Sequence, residues 1–339
     1  MLTGHGNDRY DYKGKVRYDF SSNIPWENKS GEVLSFLQTR LGAVQNYPDP
    51  LASELTGKIA ALHGVPKSCV LVTAGSAEAF YLLAHLYEGK TSTVPVPSFA
   101  EYEDAARTHR HKLLYGAYTS LRIGKHTDLL WFAYPNNPDG FLLPIPVIEE
   151  ICAGDRTRIV IIDNAYGDLC TSAGSLIPLH DKYPNLVTVH SLTKTFAIPG
   201  LRLGYLIASE DIVDGLQRIR IPWSVNALAQ EAGSFILDHY ESLKPDAEKL
   251  DTESVRLQSE LKKIPELVPE PSPANFFLVR MLKGSSPDLK AFLVEKHGIL
   301  IRDASNFRGL SDRHFRLSVQ SPEACAALIS GLEDYFSQI

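Results

Sequence analysis

The chain has 339 residues, 44% of them hydrophobic and 22% charged, which suits roughly two soluble globular domains. Its 34 Lys and Arg against 40 Asp and Glu leave a net charge of −6, so it lacks the cationic excess on which general nucleic-acid binding rests. No apolar run approaches the roughly eighteen residues of a membrane span, and Met1 to Tyr12 is too polar for a signal peptide, so a cytoplasmic location is expected.

Residues 1–45 are too short and irregular to fold alone. They are expected to form an arm packed on the small domain and on a partner subunit. Over residues 46–225 short apolar runs alternate with helical patterns. Val70-Leu-Val-Thr-Ala74, Leu129 to Ala133, Ile159-Val-Ile-Ile162 and Leu186-Val-Thr-Val189 have the continuous apolar character of strands buried on both faces of a parallel sheet. Ala77 to Tyr87 predicts a well-buried helix among them. The alternation argues for a large α/β layered domain. Residues 226–339 change character. A helical stretch from Asn226 to Lys263 has a break at Lys244-Pro245. A Pro-rich stretch from Pro265 to Pro273 leads to a strand at Asn275 to Arg280. Strands at Gly298 to Arg302 and His314 to Val319, then a helix from Pro322, complete a smaller α+β domain.

Ligands of open parallel sheets bind beyond the carboxyl ends of the strands, which makes the residues there the candidates. Gly75-Ser76-Ala77-Glu78 opens a helix, and its bare amides suit an anion. A plain N-cap at Ser76 is the alternative. Tyr134-Pro-Asn136-Asn137-Pro-Asp139-Gly140 presents two side-chain amides. Asp163, closing its strand, stays ionised only beside a cation or enough donors. A protonated ring nitrogen would serve, and so would a structural salt bridge. Tyr166 follows three residues later. Lys194 stands among small and apolar residues, where a desolvated amine becomes a nucleophile, bracketed by Ser191 and Arg202, a hydroxyl and a guanidinium suited to phosphate. The four cysteines lack metal-ligand spacing and the eleven histidines show no HExxH pattern, so no metal is expected.

In order, GSAE, PNNPDG, DNAY and SLTKTFAIPGLRLGY resemble the fold-type I enzymes dependent on pyridoxal 5′-phosphate (PLP), and within them the histidinol-phosphate aminotransferase branch. The resemblance implies an α/β large domain on a mostly parallel seven-stranded sheet, with the smaller α+β domain beside it. It implies Lys194, Asp163 and Tyr166 as catalytic residues, with Lys194 carrying the cofactor and Asp163 pairing with its ring nitrogen. Tyr166 and Asn137 would donate to the ring's 3′ oxygen, and Phe99 would stack on the ring. The phosphate would lie among Gly75, Ser76, Ala77, Ser191 and Arg202, with Tyr47 supplied by the partner of a homodimer. Arg316 would clamp the substrate carboxylate. Asp139 departs from the branch's usual threonine, and little effect is expected.

Two further segments narrow the resemblance. Gly4-His5-Gly6-Asn7-Asp8 with Asp19-Phe20-Ser-Ser-Asn23, and Ile301-Arg302-Asp-Ala-Ser-Asn306-Phe-Arg-Gly309-Leu, look like the L-threonine-O-3-phosphate decarboxylases of cobalamin biosynthesis. That family has HGGN where this chain has HGND. The likeness implies that His5, Asn23, Asn137, Arg302 and Arg316 surround a small phosphorylated amino acid. A histidinol-phosphate aminotransferase, or a related one, is the alternative activity. A non-catalytic PLP-binding module is a more distant one.

Overall fold

A computed structural model describes residues 7–118 and 126–339. The first half runs β1 (Tyr18–Asp19), α1 (Ser30–Thr39), α2 (Ser53–His63), β2 (Val70–Thr73), α3 (Ser76–Leu86), β3 (Thr91–Val96), α4 (Ala100–Thr108), β4 (Lys112–Ala117) and β5 (Leu129–Ala133). Next come α5 (Ile145–Gly154), β6 (Ile159–Asp163), β7 (Leu186–Ser191), α6 (Leu192–Thr195), β8 (Gly204–Ile207), α7 (Glu210–Ile219), α8 (Ala227–Asp238) and α9 (Tyr240–Leu243). The chain ends with α10 (Ala247–Leu261), β9 (Leu267–Pro269), β10 (Phe276–Met281), α11 (Ser286–Phe292), β11 (Ile299–Leu300), β12 (Arg302–Asp303), β13 (His314–Ser318) and α12 (Pro322–Ser337). No helix among the described residues is long and apolar enough to cross a membrane.

Seven strands form one sheet in the order β2-β8-β7-β6-β5-β3-β4. All neighbours are parallel except β8, which runs antiparallel to β2 and β7. Successive side chains of a strand point to opposite faces, and both faces are covered. Leu71, Trp131 and Ile161 pack with α3 and α7 residues such as Phe80 and Leu216. Their neighbours face the other way. Leu130, Phe132 and Ile162 meet Ile148 and Ile151 of α5, and Val70 and Val72 meet Leu55 and Ile59 of α2. Two-sided burial explains why the central strands read as unbroken apolar runs.

The smaller sheet, β12-β13-β10-β9, is antiparallel and packs against α10 and α12. The strand expected at Gly298 to Arg302 is divided at Ile301. Its first half, β11, pairs in parallel with β1, and its second half, β12, joins β13. The arm is thereby tied to the small unit, with Phe20 buried in the small unit's core. The Lys244-Pro245 break separates α9 from α10 as expected. Residues of α8 and α9 (Ala229, Ala232, Ile236, Leu243) are buried with the large sheet's core. Gly233 lets α8 approach, since a Cβ there would stand 2.8 Å from Leu203 and 2.9 Å from Leu55. We therefore propose to divide the chain near Lys244-Pro245 rather than at residue 226.

Candidate active site

Beyond the carboxyl ends of β6 and β7 lies a cavity of about 660 Å³, walled by both units and the arm. Of the residues expected at the site, Ser76, Ala77, Phe99, Asn137, Asp163, Tyr166, Ser191, Lys194, Arg202, Arg302 and Arg316 all line it. They come from positions more than 200 residues apart. What unites them is the strand ends, which place Asp163, Ser191 and the short helix bearing Lys194 side by side.

One end of the cavity is built for an anion. Helix α3 starts at Ser76, so the amides of its first turn have no helical acceptor. Gly75 precedes it at φ 85°, and a Cβ there would stand 2.4 Å from Nη2 of Arg202. A side chain there would strain the backbone and push the guanidinium away from that turn. Arg202 itself sits in the left-handed region at φ 58° and donates through Nη1 to the Pro199 carbonyl at 3.2 Å. The hydroxyls of Ser191 and Thr193 are 2.8 Å apart, and both residues line the cavity. The donors, the guanidinium and the helix terminus together suit a phosphate. Thr193 was not singled out from sequence. It lies within the lysine motif, where nothing distinguishes it from a structural threonine.

Asp163 forms the floor. The Tyr102 hydroxyl donates to its Oδ2 at 2.6 Å and the Ala165 amide to its Oδ1 at 3.0 Å. Burial nevertheless pushes the carboxyl's pKa up to about 6, against the pull of Tyr102, Ala165 and the Lys194 charge. A cation held against this carboxylate would offset its desolvation. Tyr102 was not expected here. Nothing in its helical pattern marks a phenol that reaches across to another strand. Lys194 Nζ donates to the Ser22 carbonyl of the arm at 3.4 Å. Tyr166 meets the ring of Phe276 edge-on at 4.8 Å, and Phe99 contacts Tyr102 at 5.7 Å.

The raised value carries a pH signature in the cofactor-free protein. An unfolded aspartate titrates near 3.9. The folded pKa lies above that value, so the penalty is absent at low pH and grows as pH rises through about 6. A rise of about two units is worth up to about 3 kcal/mol. Asp163→Asn should therefore stabilise the cofactor-free protein more at pH 8 than at pH 5 in urea unfolding. A gain that shrinks as pH rises would contradict the assignment.

The far wall carries two buried arginines. Arg302 and Arg316 are directly opposed on the antiparallel strands β12 and β13, and each is lowered in pKa chiefly by burial, Arg316 to about 10. Arg316 donates to Asn137 Oδ1 and to the Ser21 carbonyl, while its Nε is buried without a partner. Spending Oδ1 on Arg316 leaves the Asn137 Nδ2 to donate to another acceptor. Arg302 donates to the Asp303 carbonyl and, at 2.9 Å, to Asn306 Oδ1. Two adjacent guanidinium groups in a cavity favour a ligand with two anionic groups.

The remaining expected residues sit differently. Asn23 is fully buried at φ 55° and is absent from the cavity wall, although Ser22 and Ile24 on either side line it. Neither polar atom of its amide has a protein partner, so a ligand group reaching it would offset a desolvation cost. Tyr47 is 84% exposed, away from the cavity, with Trp223 5.1 Å from its ring. His5 lies outside the described residues. Asn7 lines the cavity at φ 65°, a conformation that asparagine tolerates and that the related glycine favours. Its amide donates to Ser21 Oγ at 2.9 Å. Among the described residues no group of three or more His, Cys, Asp or Glu could hold a metal ion.

Residues 27–332 match the family model described as aminotransferase class I and II. Threonine-phosphate decarboxylase of Salmonella typhimurium is 31% identical, over 95% of this chain and 92% of the relative. Histidinol-phosphate aminotransferase 1 of Burkholderia lata is also 31% identical, over 86% and 84% respectively. The crystal structure of L-threonine-O-3-phosphate decarboxylase from Porphyromonas gingivalis superimposes with a TM-score of 0.91 at 33% identity, covering 94% of this chain and 99% of that one. The cofactor of this family is PLP. The cavity suits it on its own terms. A desolvated carboxylate awaits a cation, a glycine-lined anion cradle lies within the same space, and a lysine amine stands among them.

Proposed function

This chain belongs to the aminotransferase class I and II family, and from that premise we propose that it decarboxylates L-threonine O-3-phosphate to (R)-1-amino-2-propanol O-2-phosphate, a step toward the cobalamin side chain. It is a PLP-dependent enzyme. The observation that carries the reading is the opposed pair of buried arginines, Arg302 and Arg316. The substrate has two anionic groups, and two adjacent cations answer them.

When bound, PLP accepts the electron pair of whichever α-carbon bond stands perpendicular to its ring. Asp163 would hold the ring nitrogen protonated, and Tyr102 fixes the orientation of that carboxylate. Tyr166 and the Asn137 Nδ2 would serve as donors to the cofactor's 3′ oxygen, and Phe99 would cover its ring. Ser76, Ala77, Ser191 and Arg202 would hold its phosphate. Arg316 orients the substrate's α-carboxylate and Arg302 takes its phosphate, and we assign His5 and Asn23 to the same substrate on the motif resemblance alone. Carbon dioxide leaves, and Lys194 Nζ delivers a proton to the α-carbon in its place. We assign the enzyme to the cytoplasm, as a homodimer in which Tyr47 reaches the neighbouring site. Tyr47 stands beside Trp223, and Leu41, Val44 and Leu51, close to it in sequence, are also exposed, the apolar surface that a partner would cover.

Histidinol-phosphate aminotransferase is the second reading, favoured by the equal identity of the Burkholderia lata relative. The two differ in their need for an acceptor. A decarboxylase turns over many equivalents of L-threonine O-3-phosphate with no 2-oxo acid present. An aminotransferase stops after about one equivalent per site, once its cofactor has taken the amino group. Sustained turnover without acceptor is the expected result, and a single-equivalent burst would reject the proposal.

A further inference from the structure

The loop that follows β12 joins the two units across the cavity mouth. Arg308, near its tip, grips Glu103 of α4 with two hydrogen bonds, Nε at 2.9 Å and Nη2 at 2.8 Å. The Arg308 guanidinium also lies 4.3 Å from the centre of the Tyr115 ring on β4. Arg107, one turn along α4, donates to the same carboxylate at 2.9 and 2.7 Å. Arg308 first, then Arg107, hold the Glu103 carboxyl down at about 2, so the pair stays charged throughout the neutral range.

The loop transmits that grip inward. Its turns are closed by Phe307 N to Ala304 O at 3.1 Å and Leu310 N to Phe307 O at 3.0 Å. Asp303 caps it by accepting from the Ser305 amide and hydroxyl at 2.9 and 2.8 Å. At its inner end Asn306 accepts from Arg302 at 2.9 Å, and the Arg302 guanidinium lies 5.1 Å from the centre of the Phe307 ring. On the opposite side, α4 begins directly after Phe99, and Tyr102, the residue before Glu103, binds Asp163. One turn of helix therefore touches both the cofactor floor and the loop.

We infer that Glu103 and Arg308 are positioning residues that pin this loop to the large unit and so hold Arg302 in place for the substrate's phosphate. The inference rests on the reading above that Arg302 meets that phosphate. The pair acts on a binding group and not on the reacting atoms, so its loss falls on KM rather than kcat. Arg308 is 47% exposed at its side chain, so the effect weakens as salt screens the pair.

The test compares wild-type holoenzyme with Glu103→Gln, Arg308→Gln, the double variant and Arg308→Lys. Each is assayed on L-threonine O-3-phosphate and on histidinol phosphate with 2-oxoglutarate, beside L-threonine and histidinol. Each Gln variant should raise KM for the phosphorylated substrate about five-fold, with kcat within about two-fold. KM for the unphosphorylated counterpart should not move. The double variant should be no worse than either single one, and Arg308→Lys, which keeps the charge but not the two-pronged grip, should recover only part of the loss. Equal rises for phosphorylated and unphosphorylated substrates, no rise, or additive losses in the double variant would overturn the inference. Activity on histidinol phosphate alone would reject the decarboxylase reading while the same ratio still tested the pair.

Discussion

Lys194→Ala should fold normally and lose at least about four orders of magnitude in turnover. Its amine is placed by the short helix α6 at the end of β7 and opens into the cavity, 3.4 Å from the Ser22 carbonyl. No other lysine lines that cavity among the described residues, so none can take over both attachment and proton delivery. Treatment of the wild-type holoenzyme with borohydride should fix the cofactor to the peptide containing Lys194, read by mass spectrometry. The variant should yield no modified peptide. Covalent retention of cofactor by the variant would remove Lys194 from its assigned role.

Asp163→Ala should cost about three orders of magnitude in kcat, with the fold intact, because Ala165 and Tyr102 belong to elements packed independently of the carboxylate. Its partner Tyr102 separates charge from geometry. Tyr102→Phe removes the 2.6 Å hydrogen bond to Oδ2 while leaving the charge, so its loss should be about ten-fold. Near-normal kcat in Asp163→Ala at saturating cofactor would show that the carboxylate is structural. A Tyr102→Phe loss as large as that of Asp163→Ala would shift the weight from charge to hydrogen bonding.

Much of the site was legible because its residues stand at strand ends. The apolar runs that become β5, β6 and β7 are unambiguous, since both their faces are buried, and the chemistry follows at their carboxyl ends. Strand β3 was not legible. It carries Ser92, Thr93 and Pro95, and its buried hydroxyls are satisfied by His111, Trp131 and Thr127, a compensation that no local pattern reveals. Strand β8 is short, starts with glycine and runs against its neighbours. Strand β9 hides in the Pro-rich stretch, at the sheet edge where proline is tolerated. The split of the expected strand at Ile301 depends on two different partners, β1 from the opposite end of the chain and β13 from just beyond the next loop. The same holds for Tyr102 on Asp163 and Arg308 on Glu103, contacts spanning 61 and 205 residues. Side-chain reach of this kind is a property of the folded chain.

The central claim is that carbon dioxide, and not an amino group, leaves the substrate. The most direct measurement incubates the PLP-loaded protein with L-threonine O-3-phosphate labelled in its carboxyl carbon, and collects the gas. A parallel reaction holds histidinol phosphate and 2-oxoglutarate and is assayed for glutamate. The account predicts labelled carbon dioxide in proportion to substrate consumed, with no glutamate in the second vessel. Glutamate from the second vessel with no labelled gas from the first would contradict it.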